Sequence, residues 1–398
     1  MSKKRILITM TYMHIGGGER SLLGLLDTID YTKYDVDLFL FSHEGAYMSM
    51  IPKVVNLLPE IRAYKALTTP LNKLKSIDKK AYWKKKLAVT IARLMYALKG
   101  CKCSENGVTL WCERILVPGL PRINDKEYDL GISFMAYHSV LRKKVNCKKK
   151  IGWFHSDYSK VNPLKYLDFR SWNALDKIVM VSDDCRRSFV SVYPSLSVKT
   201  IAVENILPNQ QIQAQSVLSC DETEHLCTVP YVLSVGRLCA AKAYTRAIEA
   251  CAIIRQRGYK IKWLVIGDGE DRSLLEQNIK RFNLQDYFIL LGAITNPYPY
   301  IAKCAVFVQT SDYEGKSVAI REAQMLGRPV LITNYETANG QVENGVDGVI
   351  VDLSSDAVAE GIINLLENPL MCENISNACR LRDYSNASEI EKIYDMID

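Results

Sequence analysis

Long apolar runs are missing from this 398-residue sequence. The longest candidate, residues 87–98, is interrupted by Arg93, whereas a helix that spans a bilayer needs about 20 apolar residues. The apolar run at residues 6–10 is also short and leads into glycines rather than into a cleavage site, so we expect no signal peptide. These absences argue against a membrane-spanning chain and predict a cytoplasmic protein.

Metal-binding patterns are missing as well. There are 5 histidines and 12 cysteines, but no His, Cys and Asp group has the spacing of a metal site. Cys101 and Cys103 lie close together, and C-x-C alone is no zinc signature. Asp35 and Asp37 form a D-x-D pair, which we interpret as solvent-exposed positions at the start of a strand. We therefore expect no metal, no cofactor, and free thiols in a reducing compartment.

The composition is that of a globular protein whose charge is unevenly distributed. Apolar residues make up 48% and charged residues 24%, which excludes a disordered or collagen-like chain, and the length predicts two or three domains. Residues 1–200 hold 34 Lys and Arg against 18 Asp and Glu, a net +16, whereas residues 201–398 hold 17 against 26, a net −9. Such asymmetry indicates that one half faces an anionic partner.

Short apolar runs alternate with segments of helical periodicity, which predicts two consecutive doubly wound α/β domains. Residues 208–228 are polar and aperiodic, so we interpret them as a linker or variable loop. The final helix, roughly 388–396, could cross back to the first domain. The predicted strands are 6–10, 36–41, 130–134, 150–154, 178–181, 200–203, 231–235, 263–266, 288–291, 306–309, 330–333 and 348–351. The main predicted helices are 19–29, 81–98, 245–257, 272–282, 318–326 and 356–367.

Several glycine turns follow predicted strands, where backbone N–H groups can approach a phosphate. The first is Gly16-Gly17-Gly18, which lacks the dinucleotide spacing G-x-G-x-x-G and is equally typical of a tight strand-to-helix turn. Gly267 and Gly292 follow later strands and are weaker signals.

A pair of cations follows one of these turns. Arg237 and Lys242 come after the strand that ends at residue 235, and together a guanidinium and an ammonium suit a diphosphate. Two solvated charges at the start of a helix are the alternative.

The most informative segment is residues 310–323. Glu314 precedes a predicted helix that starts near Lys316, and Glu322 lies inside that helix. The amides from Gly315 through Ser317 to Val318 would face an anion at the helix start, and a carboxylate such as Glu322 can bind a ribose diol. Two solvated acids on one helix are the alternative.

Taken together, these motifs resemble the retaining glycosyltransferases of family 4, which have the GT-B fold. The resemblance rests on Glu314-x7-Glu322, on Gly236-Arg237-Leu238 with Lys242, and on the glycine turns in their order. It is closest to bacterial members that build capsule, exopolysaccharide or lipopolysaccharide. Two positions depart from the family pattern: Ala243 stands where glycine is frequent, and Lys316 replaces an aromatic residue.

The resemblance implies a fold, a reaction and roles. It implies two Rossmann-like domains facing each other across a cleft, and metal-independent transfer of a sugar, with a UDP-linked donor as the first expectation. Glu314, Arg237, Lys242 and His155 would be catalytic; His155 ends a strand in a Trp-x-His segment like that of the family. Donor binding would involve Gly16, Gly17, Gly18, Arg237, Lys242, Gly267, Gly292, Gly315, Lys316, Ser317, Val318 and Glu322.

The domain boundaries follow from the same analysis. We predict an acceptor-side domain at 1–207 with a basic insertion at 62–118, a nucleotide-sugar-binding domain at 208–385, and a C-terminal helix within 386–398. A sugar-nucleotide epimerase of the same fold and a non-catalytic membrane-associated assembly factor are the alternative functions.

The basic excess peaks between Arg62 and Lys102, where 12 basic residues accompany one acid, Asp78. A solvated helical face is the simplest interpretation. Given the resemblance, docking on the anionic inner face of the cell membrane, to reach a lipid-linked acceptor, is the better functional alternative. Nucleic-acid binding is the least favoured, because no nucleic-acid-binding module is present.

Overall fold

The computed structural model describes residues 3–219 and 230–397, in which strands and helices alternate. The strands are β1 (Lys4–Met10), β2 (Tyr34–Leu40), β3 (Asn56–Leu57), β4 (Glu127–Ser133), β5 (Asn146–Phe154), β6 (Lys177–Met180), β7 (Thr200–Ala202), β8 (Tyr231–Val235), β9 (Lys262–Ile266), β10 (Phe288–Gly292), β11 (Val306–Gln309), β12 (Val330–Thr333) and β13 (Val349–Val351). The α-helices are α1 (Gly17–Thr28), α2 (Lys65–Thr68), α3 (Leu71–Ile77), α4 (Lys79–Leu98), α5 (Glu105–Ile115), α6 (Ser139–Lys144), α7 (Lys165–Asn173), α8 (Asp183–Val192), α9 (Asn209–Ser216), α10 (Tyr244–Gln256), α11 (Arg272–Arg281), α12 (Tyr298–Lys303), α13 (Val318–Met325), α14 (Ser355–Glu367), α15 (Pro369–Leu381) and α16 (Ile390–Tyr394).

The chain divides into two compact units. The first unit contains residues 3–14, 25–204 and 388–397, and the second contains residues 15–24, the described part of 205–387, and therefore the start of α1. The first unit is built on a parallel sheet of order β3-β2-β1-β4-β5-β6-β7. The tail residue Tyr394 stacks on Tyr34 within this unit, with ring centroids 4.6 Å apart.

The second unit is built on a parallel sheet of order β10-β9-β8-β11-β12-β13. Its strands are mainly apolar because both faces of the sheet are covered by helices. Trp263 and Phe307 lie in the two separate apolar clusters that these faces form. Strand order reverses between β8 and β11, and in sheets of this type the ligand site lies at the carboxyl ends of the strands beside that reversal.

The predicted fold class, two doubly wound α/β domains, is confirmed. All twelve predicted strands are present, and β3, a two-residue edge strand, is the one that the pattern did not predict. The interpretation of 208–228 as an irregular segment is wrong for α9, which begins after Pro208 and buries Ile212. A single buried apolar side chain gives too weak a periodicity to indicate a helix. The rest of that segment, 220–228, lies outside the described residues.

The basic insertion is helical, and one of its lysines is not at the surface. The Lys85 ammonium, on α4, donates to the carbonyl oxygens of Ala66, Leu67 and Thr69 at 3.0, 2.9 and 2.8 Å, at the end of α2. Burial lowers the pKa of Lys85. This residue therefore stabilises a helix end and does not belong to the solvated basic face.

None of the helices in the described part of the chain has both the length and the apolar character needed to cross a bilayer. Ten cysteines within the same residues are free thiols, and seven of them are buried.

Candidate functional site

The turns that follow β8 and β9 pack directly against each other. The Gly236 and Leu238 amides donate to the carbonyl oxygens of Ile266 and Asp268, at 2.9 and 3.0 Å. Gly267 has a φ of 149°, and a Cβ there would lie 1.9 Å from the Gly236 carbonyl oxygen. Only glycine fits at this position, because the two backbones are in contact. Gly292 is joined to the same edge by the Gly267 amide, which donates to its carbonyl oxygen at 2.8 Å.

The turn between β8 and α10 holds an alanine in an unusual conformation. Ala243 has a φ of 47°, in the left-handed region that favours glycine, which agrees with the glycine frequent at this position in the resembling family. The hydroxyl of Thr310 donates to the carbonyl oxygens of Lys242 and Ala243, at 3.0 and 3.3 Å. These hydrogen bonds join the strained turn to the residue that follows β11. They hold Lys242 near the carboxyl ends of β8 and β11, where the strand order reverses.

Lys242 and Glu314 meet across that reversal. The Lys242 Nζ lies 2.5 Å from Glu314 Oε1, and both side chains are largely buried. The same oxygen accepts hydrogen bonds from Gln309 Nε2 and Ser311 Oγ, each at 2.7 Å. Two motifs that are 72 residues apart in sequence are thus brought into contact.

The start of α13 is held by a side-chain amide. The backbone N–H of Ser317 donates to Gln341 Oε1 at 3.0 Å, and the hydroxyl of Ser317 donates to Gln309 Oε1, also at 3.0 Å. The Ser317 amide is therefore already engaged within the protein. Gly315 and Lys316 precede it in the loop and are partly exposed.

Glu322 lies on α13 in a buried ion pair. Its Oε1 is 2.7 Å from Arg20 Nη1 and accepts a hydrogen bond from the Tyr298 hydroxyl at 3.0 Å. Arg20 also donates to that hydroxyl, and its guanidinium lies over the Tyr298 ring. Arg20 and Glu322 are 7% and 2% exposed, so the pair is shielded from water.

The glycine loop lies beside this ion pair. Residues 15–24 belong to the second unit, and a Cβ on Gly17 would contact the Val318 side chain at 3.7 Å. A Cβ on Gly16 would lie 2.4 Å from Glu19 Oε2, so the absence of a side chain at Gly16 makes room for the Glu19 carboxyl. Burial raises the pKa of Glu19 to about 7.

The remaining predicted residues lie as follows. Arg237 is exposed on the turn after β8. His155, in the first unit, follows β5, and its Nε2 is 2.8 Å from the carbonyl oxygen of Phe134. Its ring stacks on Trp153, with centroids 5.7 Å apart.

Sequence reasoning missed several polar partners of the two glutamates. Tyr298 lies on α12, which the pattern did not predict, so nothing in the sequence pointed to it. Gln309 is the last residue of β11, and a polar side chain at the end of a buried strand was the available signal.

The proteins to which this chain is similar in sequence are described as glycosyltransferases. Residues 222–382 match the family model described as glycosyl transferases group 1. Among curated proteins, the chain is 28% identical over 154 residues to N-acetylgalactosamine-N,N'-diacetylbacillosaminyl-diphospho-undecaprenol 4-alpha-N-acetylgalactosaminyltransferase of Campylobacter jejuni, over 38% of this chain and 41% of that protein. It is 31% identical over 169 residues to the capsular polysaccharide biosynthesis glycosyltransferase CapM of Staphylococcus aureus, over 40% and 44%. The chain thus spans about two fifths of the length of these relatives.

Solved structures resemble this chain in fold over nearly its whole length. HepE of Anabaena, solved in complex with UDP and glucose, has a TM-score of 0.68 at 16% identity and covers 98% of both chains. TarM of S. aureus, in a complex that contains UDP, has a TM-score of 0.68 at 14% identity over 99% of this chain and 100% of that one. The GT-B fold is therefore confirmed, and so is the resemblance to bacterial glycosyltransferases of polysaccharide synthesis.

Proposed function

We propose that the protein is a retaining glycosyltransferase of the family 4 type. It would transfer a sugar from a nucleoside-diphosphate donor, with UDP as the expected nucleotide, to a glycan or lipid-linked acceptor in surface polysaccharide synthesis. The observation that carries the proposal is the contact of Lys242 with Glu314 at the strand-order reversal of the second unit. The matches to glycosyltransferases and the UDP complexes of the structural neighbours support it.

The chemistry requires cations near the leaving group. When the bond between the sugar C1 and the diphosphate oxygen breaks, both electrons leave with the diphosphate and positive charge develops on the sugar. Lys242 and Arg237 would stabilise the departing diphosphate, and Glu314 would orient the sugar and stabilise its charge. Because three side chains donate hydrogen bonds to Glu314, its carboxylate is positioned before any nucleotide-sugar binds.

The other assignments are proposals of the same kind. Glu322 would hold the ribose, which requires its carboxylate to give up part of its contact with Arg20 and Tyr298. The loop Gly16–Gly18 would lie against the donor phosphates, and His155 would contact the transferred sugar. Fixed cations at the diphosphate would make a divalent metal unnecessary, so we expect full activity in EDTA.

Transfer assays with purified protein test this function. We expect transfer from a UDP-sugar to a lipid-linked acceptor with the anomeric configuration retained, and loss of most activity in Lys242→Ala and Glu322→Gln. Both variants should stay folded, since glutamine at 322 still offers Arg20 an acceptor oxygen. Lys260→Ala, an exposed lysine between α10 and β9, is the matched control and should behave as wild type. Turnover of the UDP-sugar to another UDP-sugar without acceptor would indicate an epimerase. Absence of UDP binding would favour a non-catalytic assembly factor.

We also propose that the first unit docks on an anionic membrane through α4. Trp83, Leu87, Leu94 and Leu98 are between 53 and 76% exposed. Their spacing places them within about 60° of one another around the helix. Lys84 flanks this stripe on one side, and Lys86 and Arg93 flank it on the other. An apolar stripe bordered by cations is the pattern of an interfacial helix.

Flotation with phosphatidylglycerol vesicles tests the membrane proposal. We expect the protein to float with these vesicles, and the bound fraction to fall as the salt concentration rises. The protein should not bind vesicles of phosphatidylcholine alone. Leu87→Gln/Leu94→Gln should abolish flotation, because those side chains would enter the lipid. Leu370→Gln/Leu381→Gln removes two leucines of the second unit that are even more exposed, at 70 and 88%, and should change nothing. Flotation unaffected by the α4 changes would contradict the proposal.

A further inference from the structure

A cavity of about 410 Å³ lies wholly within the first unit, and its lining residue Phe154 directly precedes His155 in the chain. Helices α5 and α7 form two of its walls, and the segment from Met135 to His138, which follows β4, forms a third. Phe154, the last residue of β5, also lines it. The cavity therefore lies where two neighbouring strands of a parallel sheet end, which is the usual place for a ligand in this type of fold.

The lining of this cavity has an unexpected charge. Among the described side chains, the lining includes the carboxyl groups of Glu105, Glu113 and Asp168 and no lysine or arginine. The half of the sequence that forms it has a net charge of +16. Among these described side chains there is no cation to pair with a phosphate, so the lining lacks the chemistry of a second diphosphate site. Phe154, Trp172 and the other apolar side chains add flat, carbon-rich walls.

Polar groups in the lining are poorly satisfied. The Asn106 side-chain Nδ2 donates to Asp168 Oδ1 at 3.3 Å, whereas its Oδ1 is buried and has no partner among the described residues. The Glu113 carboxyl is 5% exposed and accepts two long hydrogen bonds, from the Ser139 amide and the Ser171 hydroxyl, both at 3.5 Å. Buried acceptors of this kind cost free energy unless they gain a donor.

Burial also weakens the charge of the carboxyl groups. It raises the pKa of Glu113 to about 7 and raises the pKa of Asp168 above its ordinary value. Groups in this state suit neutral hydroxyl groups better than a cation, because a carboxyl near its pKa can both accept and donate a hydrogen bond. The cavity thus combines acceptors in need of donors with apolar faces.

We propose that this cavity binds a neutral pyranose ring, one sugar unit of the acceptor glycan. The ring hydroxyls would donate to Glu113 and Asn106, and its C–H face would pack on Phe154. The volume lies within the range of small-molecule sites, about 300 to 1,000 Å³. The inference rests on the proposed function only in naming the sugar as part of the acceptor, and the binding itself is independent of it.

Saturation-transfer NMR on the full chain tests the proposal. The probes are the methyl glycosides of glucose, galactose and N-acetylglucosamine, with cyclohexanol as a ring that lacks the hydroxyl pattern. We expect at least one glycoside to bind and cyclohexanol not to bind. Asn106→Leu removes the unpartnered oxygen at nearly constant volume and should weaken binding about tenfold. Asn72→Leu, on the exposed face of α3, is the matched control and should bind as wild type.

A second variant distinguishes loss of the binding site from loss of the fold. Ala136→Phe fills the cavity from the loop after β4 and should also abolish glycoside binding, while UDP binding by the second unit persists. In a transfer assay both variants should raise the KM for acceptor and leave the KM for donor unchanged. Failure of every glycoside to bind wild type, or equal binding by folded Asn106→Leu and Ala136→Phe, would overturn the proposal. A protein that binds glycoside at this cavity but neither binds UDP nor transfers sugar would instead contradict the proposed function alone.

Discussion

Two glutamates eight residues apart have different surroundings in this structure. Glu314 is held by Lys242, Gln309 and Ser311 beyond the carboxyl end of the central strand β11, whereas Glu322 is almost fully buried and paired with Arg20. In the proposed function, the first arrangement would present a carboxylate to the donor sugar. The second depends on its partner, because a buried charge without a counter-charge is very unfavourable.

The first prediction concerns this buried pair. Replacing Arg20 by methionine leaves Glu322 charged and unpaired, and should lower the free energy of unfolding by about 3–5 kcal/mol in urea denaturation. The double variant Arg20→Met/Glu322→Leu removes both charges and should recover much of the loss. If Arg20→Met is as stable as wild type, the buried ion pair between Arg20 and Glu322 does not stabilise the fold.

The second prediction concerns Glu19 and pH. Its folded-state pKa of about 7 lies above the ordinary value of 4.5, so between these two values the unfolded chain gives up the proton first. This carboxyl therefore stabilises the fold fully below about pH 4.5, and its contribution, about 3 kcal/mol, is lost as pH rises towards 7. The difference in unfolding free energy between wild type and Glu19→Gln should change across this window. The exposed Glu270→Gln should show no such change, and a flat difference for Glu19→Gln would contradict the assignment.

Periodicity in the sequence predicted every strand except β3, because buried parallel strands leave short apolar runs that need no tertiary information. It also predicted α1, α4, α10, α11, α13 and α14, but not α5, α8 or the 13-residue α15. It failed for α9 and α12, which are short and whose positions depend on packing against each other. At the site, the motif spacing located Lys242 and Glu314, but their direct contact follows from strand order, which the pattern does not encode. The partners Tyr298 and Gln341 come from other elements and could not be predicted for the same reason.

The third prediction concerns the contact between the turns that follow β8 and β9. Gly267→Ala would push a methyl group into the Gly236 carbonyl and force an alanine to a φ of 149°, so we expect a loss of more than about 2 kcal/mol in thermal unfolding. UDP binding should weaken with it, because the β8 turn carries Arg237 and Lys242. Gly258→Ala is the control, since its φ is also positive but a Cβ there meets nothing within 4 Å. Equal losses in the two variants would show that the close approach of the turns is unimportant.

At the scale of the whole molecule, the two halves of the sequence differ in charge and in the ligands that we propose for them. The basic half contains the α4 stripe and the cavity lined by Glu105, Glu113 and Asp168, and the acidic half contains the Lys242–Glu314 site. The proposed diphosphate site would thus bind one defined anion through local cations in an otherwise acidic half of the sequence, without a general attraction for polyanions.

The most direct measurement of the central claim is calorimetric titration of the protein with UDP in EDTA. The account predicts binding at one site per chain, lost in Lys242→Met and kept in Lys260→Met. Binding that is unaffected by Lys242→Met, or the absence of binding by UDP and every other nucleoside diphosphate, would contradict it.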